Sequence, residues 1–105
     1  MKDKEFKQWL TDKYSNLGTA RSRIATCRLV EQYYPDLDRH FIKDKFASVL
    51  DALSYSISDE RANRNPKHSI PIIGDYRTGS ASLKQAVNLY LKFCISQNEK
   101  VVGPE

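Results

Sequence analysis

Ile42-Lys43-Asp44-Lys45-Phe46-Ala47-Ser48-Val49-Leu50-Asp51-Ala52-Leu53-Ser54-Tyr55-Ser56-Ile57 is the stretch on which the reading of the fold turns. Ile42, Phe46, Val49, Leu50, Leu53 and Ile57 recur at i, i+4, i+7, i+8, i+11 and i+15, the period of one apolar stripe on an α-helix. Asp36 or Asp38 supplies a cap upstream, and Leu50 stands at the centre of the stripe. Ser54-Tyr55-Ser56 predicts a break, and Ser56-Ile57-Ser58-Asp59 reads as a capping box that restarts a short helix to about Asn63.

The same period extends in both directions. Phe6, Trp9, Leu10 and Tyr14 lie on one stripe of a helix from Asp3, its potential cap, to Tyr14, closed by Ser15-Asn16-Leu17-Gly18. A second helix is expected from an N-cap at Thr19 to Tyr34, where Pro35 stops it, with Ala20, Ile24, Cys27 and Tyr34 on its stripe. Arg21, Ala25, Arg28 and Gln32 fall within roughly 40° of one another on a second face of that helix. Arg23 and Glu31 sit nearer the stripe than surface charges should, which predicts an opposite partner for each on a neighbouring helix. The last helix is expected to open at Ser80 or Ser82, where Ser82 and Gln85 form a capping box, with Leu83, Ala86, Val87, Tyr90, Leu91 and Cys94 inward.

Between the third and last helices, residues 64–79 hold two prolines and two glycines and predict an irregular loop pinned by Ile70, Ile72 and Ile73. The fold class is therefore all-α: a compact four-helix domain over residues 1–97 with a long irregular loop, followed by a loose tail over 98–105. With 105 residues there is room for one domain. No apolar run is long enough to cross a membrane. Cys27 and Cys94 lie far apart without a CxxC pairing, which points to reduced core thiols and a cytoplasmic chain.

No catalytic constellation emerges. His40 and Asp44 stand i, i+4, but Asp36, Asp38, His40 and Asp44 match no zinc or calcium spacing, so no metal and no other cofactor is expected. Gly74-Asp75-Tyr76-Arg77-Thr78-Gly79 lacks the lysine of a nucleotide-binding P-loop. The net charge of +4 is uneven. Residues 1–34 carry seven Lys/Arg against four Asp/Glu, residues 35–60 three against six, and residues 61–105 seven against three. Two helix starts, Gly18-Thr19-Ala20-Arg21-Ser22-Arg23 and Arg77-Thr78-Gly79-Ser80-Ala81-Ser82-Leu83-Lys84, combine hydroxyls, a glycine and cations, the groups that contact phosphates.

Phe6-Lys7-Gln8-Trp9-Leu10, Leu17-Gly18-Thr19-Ala20-Arg21-Ser22-Arg23-Ile24 and Ser80-Ala81-Ser82-Leu83-Lys84 through Tyr90-Leu91-Lys92-Phe93 together resemble the SAM-like core-binding domain of tyrosine recombinases, the phage integrases, over about 90 residues. The resemblance implies an all-α clamp on duplex DNA, with Thr19, Arg21, Arg23, Ser82 and Lys84 at the DNA backbone. The family's catalytic domain, with its Arg, His and nucleophilic Tyr, has no counterpart here, and the 64–79 loop is longer than the family's. The implied protein is a non-enzymatic DNA-binding module, or part of a longer chain. Arg28 and Arg77 join the expected DNA contacts from the residue pattern itself. The rival expectation is a protein-interaction domain of a defence or mobile-element system, its partner surface on the loop at Ile70, Ile72 and Tyr76.

Overall fold

The structure, a computed structural model, describes the backbone of residues 1–102 and the side chains of residues 1–97. It is all-α, with six helices among the described residues: α1 (Asp3–Tyr14), α2 (Leu17–Tyr33), α3 (Leu37–Asp44), α4 (Ala47–Leu53), α5 (Ile57–Arg61) and α6 (Tyr76–Val102). The backbone is helical through Val102, so the expected loose tail from Asn98 finds no support there. The rest of that expectation lies outside the described residues.

α6 is the core helix. Its Ala86, Val87, Tyr90 and Phe93 are fully enclosed by Phe6 and Leu10 of α1, Ala20, Cys27 and Val30 of α2, Val49 and Leu53 of α4, and Phe46. Phe6 meets Tyr90 edge-on at 5.0 Å and tilts against Phe93 at 5.4 Å, while Phe46 meets Tyr90 edge-on at 6.0 Å. Ring pairs at these separations add about 0.5–1.5 kcal/mol each beyond their burial. The Tyr90 hydroxyl donates to Asp38 and accepts from the Lys2 amide at 2.8 Å. Glu31 accepts from the Leu37 amide at 3.0 Å and from the Met1 amino group at 3.1 Å, so its opposite charge comes from the residue ahead of α1 and not from a neighbouring helix as expected.

α1 and α2 form a hairpin across Ser15-Asn16. Ser15 takes the left-handed conformation (φ 52°). Asn16, rather than Thr19, caps α2 by accepting from the Thr19 amide at 3.0 Å. Asp3 does not cap α1; its carboxylate turns to Arg28.

The long third helix expected from Ile42 to Leu53 is broken. Lys45 (φ 52°) and Phe46 (φ 66°) are consecutive left-handed residues between α3 and α4. A straight helix would point Ile42 and Phe46 the same way. The break instead seats Phe46 against Tyr90 and Phe41 and leaves Ile42 83% exposed. Two left-handed non-glycine residues cost of order 1–3 kcal/mol each, a strain that persists where packing over-determines it, as burial of a Phe does here. Leu50 is half-buried and so is not the centre of the core. The Ser56–Asp59 capping box is present as read, with both reciprocal bonds made.

α6 begins at Tyr76, well before Ser80 or Ser82. Asp75 accepts from the Thr78 amide at 3.2 Å and from its hydroxyl at 2.7 Å, the cap that starts the helix. The irregular segment is therefore residues 62–75. Gly79 lies within α6 because Ile72 packs against it: a Cβ there would lie 2.4 Å from Ile72 Cγ2. His68, buried, anchors the same segment: its Nδ1 accepts from the Ile70 amide at 3.2 Å and its Nε2 meets the Ser80 hydroxyl at 2.9 Å. The Nδ1 acceptor fixes the neutral tautomer with the proton on Nε2.

Candidate nucleic-acid interface

Helices α1 and α2 leave between them an open groove of about 420 Å³, floored by Ile24 and Ala25. Lys4 and Lys7 line it from α1, Arg21 and Arg28 from α2, and Asp3 is its one carboxylate. Asp3 pairs with Arg28. Lys4, Lys7 and Arg21 form no ion pair among the described residues. The groove follows from helical periodicity: Lys4 and Lys7 are i, i+3, Arg21 and Arg28 are i, i+7, and each pair lies beside its helix's buried stripe.

The seven residues expected at DNA do not share one surface. Arg21 and Arg28 do, in this groove. Thr19 is half-buried in the first turn of α2. Arg23 is half-buried with its Nε enclosed and without a hydrogen-bond partner among the described residues, so its expected opposite partner is not found. Arg77 is in an ion pair with Glu60 at 3.4 Å. Ser82 is not at a helix start; it lies inside α6, where its hydroxyl donates to the Thr78 carbonyl at 3.2 Å. Lys84, likewise inside α6, donates to the Ser54 hydroxyl at 2.9 Å. Sequence reasoning missed Lys4 and Lys7: both lie off the Phe6–Leu10 stripe, but that their side faces a neighbour carrying Arg21 follows only from the packing of α1 against α2.

A second groove, of about 480 Å³, runs along the outer face of α6 and is flanked by Tyr14 at the end of α1. Lys84, Gln85, Asn88 and Lys92 line it. The loop surface also differs from expectation. Ile70 is buried and so is not available to a partner, while Ile72 is half-buried with its side chain against Gly79. Ile73, expected to help pin the loop, is instead fully exposed, and Tyr76 is exposed with its ring edge-on to Tyr55 at 6.0 Å.

Cys27 and Cys94 are buried and free. Burial, with the Glu31 charge behind it, pushes the Cys27 thiol up to about 12, and its Sγ donates to the Ala86 carbonyl at 3.3 Å. Burial pushes Cys94 up to about 11. Neither has the thiolate character a nucleophile needs. On α3, Asp44 accepts from the amide and hydroxyl of Ser48, which holds its carboxyl below the usual range. Asp44 Oδ1 and His40 Nδ1 are enclosed without partners, and no group of three or more His, Cys, Asp or Glu that could hold a metal occurs among the described residues. No described helix is long and apolar enough to cross a membrane. No protein-family model matches the chain, and no curated protein or solved structure matches it.

Proposed function

We propose that the protein is a DNA-binding module, without catalytic chemistry of its own, that holds the phosphate backbone of duplex DNA in the α1–α2 groove. One observation carries this reading: Lys4, Lys7, Arg21 and Arg28 converge on one groove against a single carboxylate. Cations held together on one side release condensed counterions when they meet phosphates, and this supplies most sequence-independent affinity. With Arg28 shared with Asp3, three cations remain uncompensated, which gives a log–log salt slope of roughly −2.7. That slope corresponds to about a 40-fold loss of affinity between 50 and 200 mM salt. Titration of a labelled duplex at several salt concentrations tests it, with Lys7→Ala and Arg21→Ala each expected to flatten the slope by about 0.9. Absence of saturable binding at about 50 mM salt refutes it.

A second reading, a protein-interaction module of a defence or mobile-element system, is favoured by the full exposure of Ile73 beside Tyr76. Apolar side chains left in water on a segment anchored by His68 and Ile72 suit a protein partner. That reading expects no salt-dependent DNA affinity and loss of the partner with Ile73→Ser.

A further inference from the structure

We propose that the outer face of α6 reads base edges in the major groove of the duplex whose phosphates the α1–α2 groove holds. This inference rests on the DNA reading and adds sequence preference to it. Ala81, Lys84, Gln85, Asn88 and Lys92 fall at i, i+3, i+4, i+7 and i+11, one face of the helix opposite the buried Ala86, Val87, Tyr90 and Phe93. From residue 76 to 97 the helix carries Arg77, Lys84 and Lys92 and not one Asp or Glu. A solvated helix face ordinarily mixes both signs of charge, so an acid-free face is complementary to a polyanion.

The residue types narrow the occupant further. Asn and Gln amides pair in bidentate fashion with adenine, lysine with guanine, and a small apolar side chain such as Ala81 contacts the thymine methyl. Gln85, Asn88 and Lys92 make no side-chain hydrogen bond or ion pair among the described residues, so their donors and acceptors are free for base edges. The stretch from Ala81 to Lys92 spans about 16 Å at 1.5 Å per residue. That length covers roughly five base-pair steps.

Both grooves draw a lining residue from α1. Lys7 lines the first and Tyr14 the second. Seven residues apart, they stand on one side of α1, about 10 Å from each other along its axis. A helix lying in a major groove about 12 Å wide has a phosphate lip at a comparable distance.

The experiment is selection of the full chain on a pool of random-sequence duplexes, followed by affinity for the selected duplex, a scrambled duplex and the selected single strand. Gln85→Ala and Asn88→Ala are compared with wild type, their folding checked by circular dichroism. Expected are an enriched motif of about five base pairs and a preference over scrambled duplex that falls roughly 5- to 150-fold in either variant. The salt slope stays unchanged in both, because neither residue releases a counterion. Salt-dependent binding with no enriched motif, or a motif insensitive to both substitutions, overturns base reading and leaves the phosphate groove standing. Tighter binding of the single strand than of the duplex overturns major-groove docking in favour of bases stacked on Tyr14. No binding of any nucleic acid refutes the DNA reading and this inference together.

Discussion

Gly79→Ala should destabilise the protein, although glycine inside a helix normally invites the opposite outcome. Replacing an interior helical glycine by alanine gains about 0.8–1.0 kcal/mol from propensity alone. At Gly79 the new Cβ would lie 2.4 Å from Ile72 Cγ2, 3.1 Å from its Cδ1 and 3.5 Å from its Cβ. Ordinary carbon contacts lie at about 3.5–4.0 Å, so Ile72 would have to retreat by about an ångström. Isoleucine is stiff at χ1, and neighbouring Ile70 is buried, so the retreat strains the segment. Overpacking of this kind costs about 1–3 kcal/mol, which leaves a net loss of roughly 0–2 kcal/mol in the intact protein. In an Ile72→Ala background the obstruction is gone, and the same substitution should stabilise by about 0.8–1.0 kcal/mol. The assay is chemical denaturation of the four proteins of this double-mutant cycle, with an expected coupling of about 1–3 kcal/mol. If Gly79→Ala stabilises the intact protein as much as it stabilises the Ile72→Ala variant, Ile72 is not seated on α6 and the account of the loop fails.

The thiols carry a prediction on the alkaline side. Their folded values, about 12 for Cys27 and about 11 for Cys94, stand above the ordinary 9.0, so the folded state keeps protons that the unfolded state releases. Stability is whole below pH 9 and should fall as pH rises beyond it, by up to about 1.4 kcal/mol per pH unit for each thiol, and Cys27→Ala should remove its share. Measured free energies that stay level from pH 9 to 10.5 would contradict their burial. His68 acts on the acidic side: burial lowers its value below 6.5, so its contribution is present above 6.5 and lost as pH falls through the lower folded value. Protonation takes away the Nδ1 acceptor that the Ile70 amide uses, so acid should loosen residues 62–75, a change read by amide hydrogen exchange at Ile70 and absent in His68→Gln.

Much of the architecture was legible in the residues because local and tertiary preferences agree there. The Phe6–Leu10 stripe and the Ser15-Asn16 turn give α1 its observed ends, and Ser56 with Asp59 marks the start of α5 by the capping box it makes. The break at Lys45-Phe46 was not legible. Both residues continue a 3.6 period, and only the place open to Phe46 beside Tyr90 favours two left-handed residues over an unbroken helix. The start of α6 was obscured by Gly79, which reads as a helix breaker until Ile72 is seen filling the space of its missing side chain. At the candidate site, the angular clustering of Arg21, Ala25 and Arg28 on α2 foretold one wall of the groove. The other wall was invisible, since which helix packs beside that face depends on the hairpin and not on either helix alone.

The uneven charge of the chain resolves in three dimensions in a way that decides which cations remain open. Three acids of the acidic middle meet three cations of the basic last segment: Asp51 with Lys67 at 3.6 Å, Asp59 with Arg64 at 2.8 Å and Glu60 with Arg77 at 3.4 Å. Exposed pairs of this kind contribute little stability, about 0–1 kcal/mol each, but each cancels a local field. The excess of the last segment is therefore partly neutralised along α4, α5 and the start of α6, whereas in the first segment only Arg28 of the groove cations is paired. Hence Arg77, at a helix start rich in hydroxyls, is not equivalent to Arg21, although the residues around them look alike. Arg21→Ala should flatten the salt slope of duplex binding by about 0.9, while Arg77→Ala should leave it unchanged and expose Glu60 as an added repulsion. Equal flattening by the two substitutions would move the phosphate path onto α5 and α6 and refute the assignment of the α1–α2 groove.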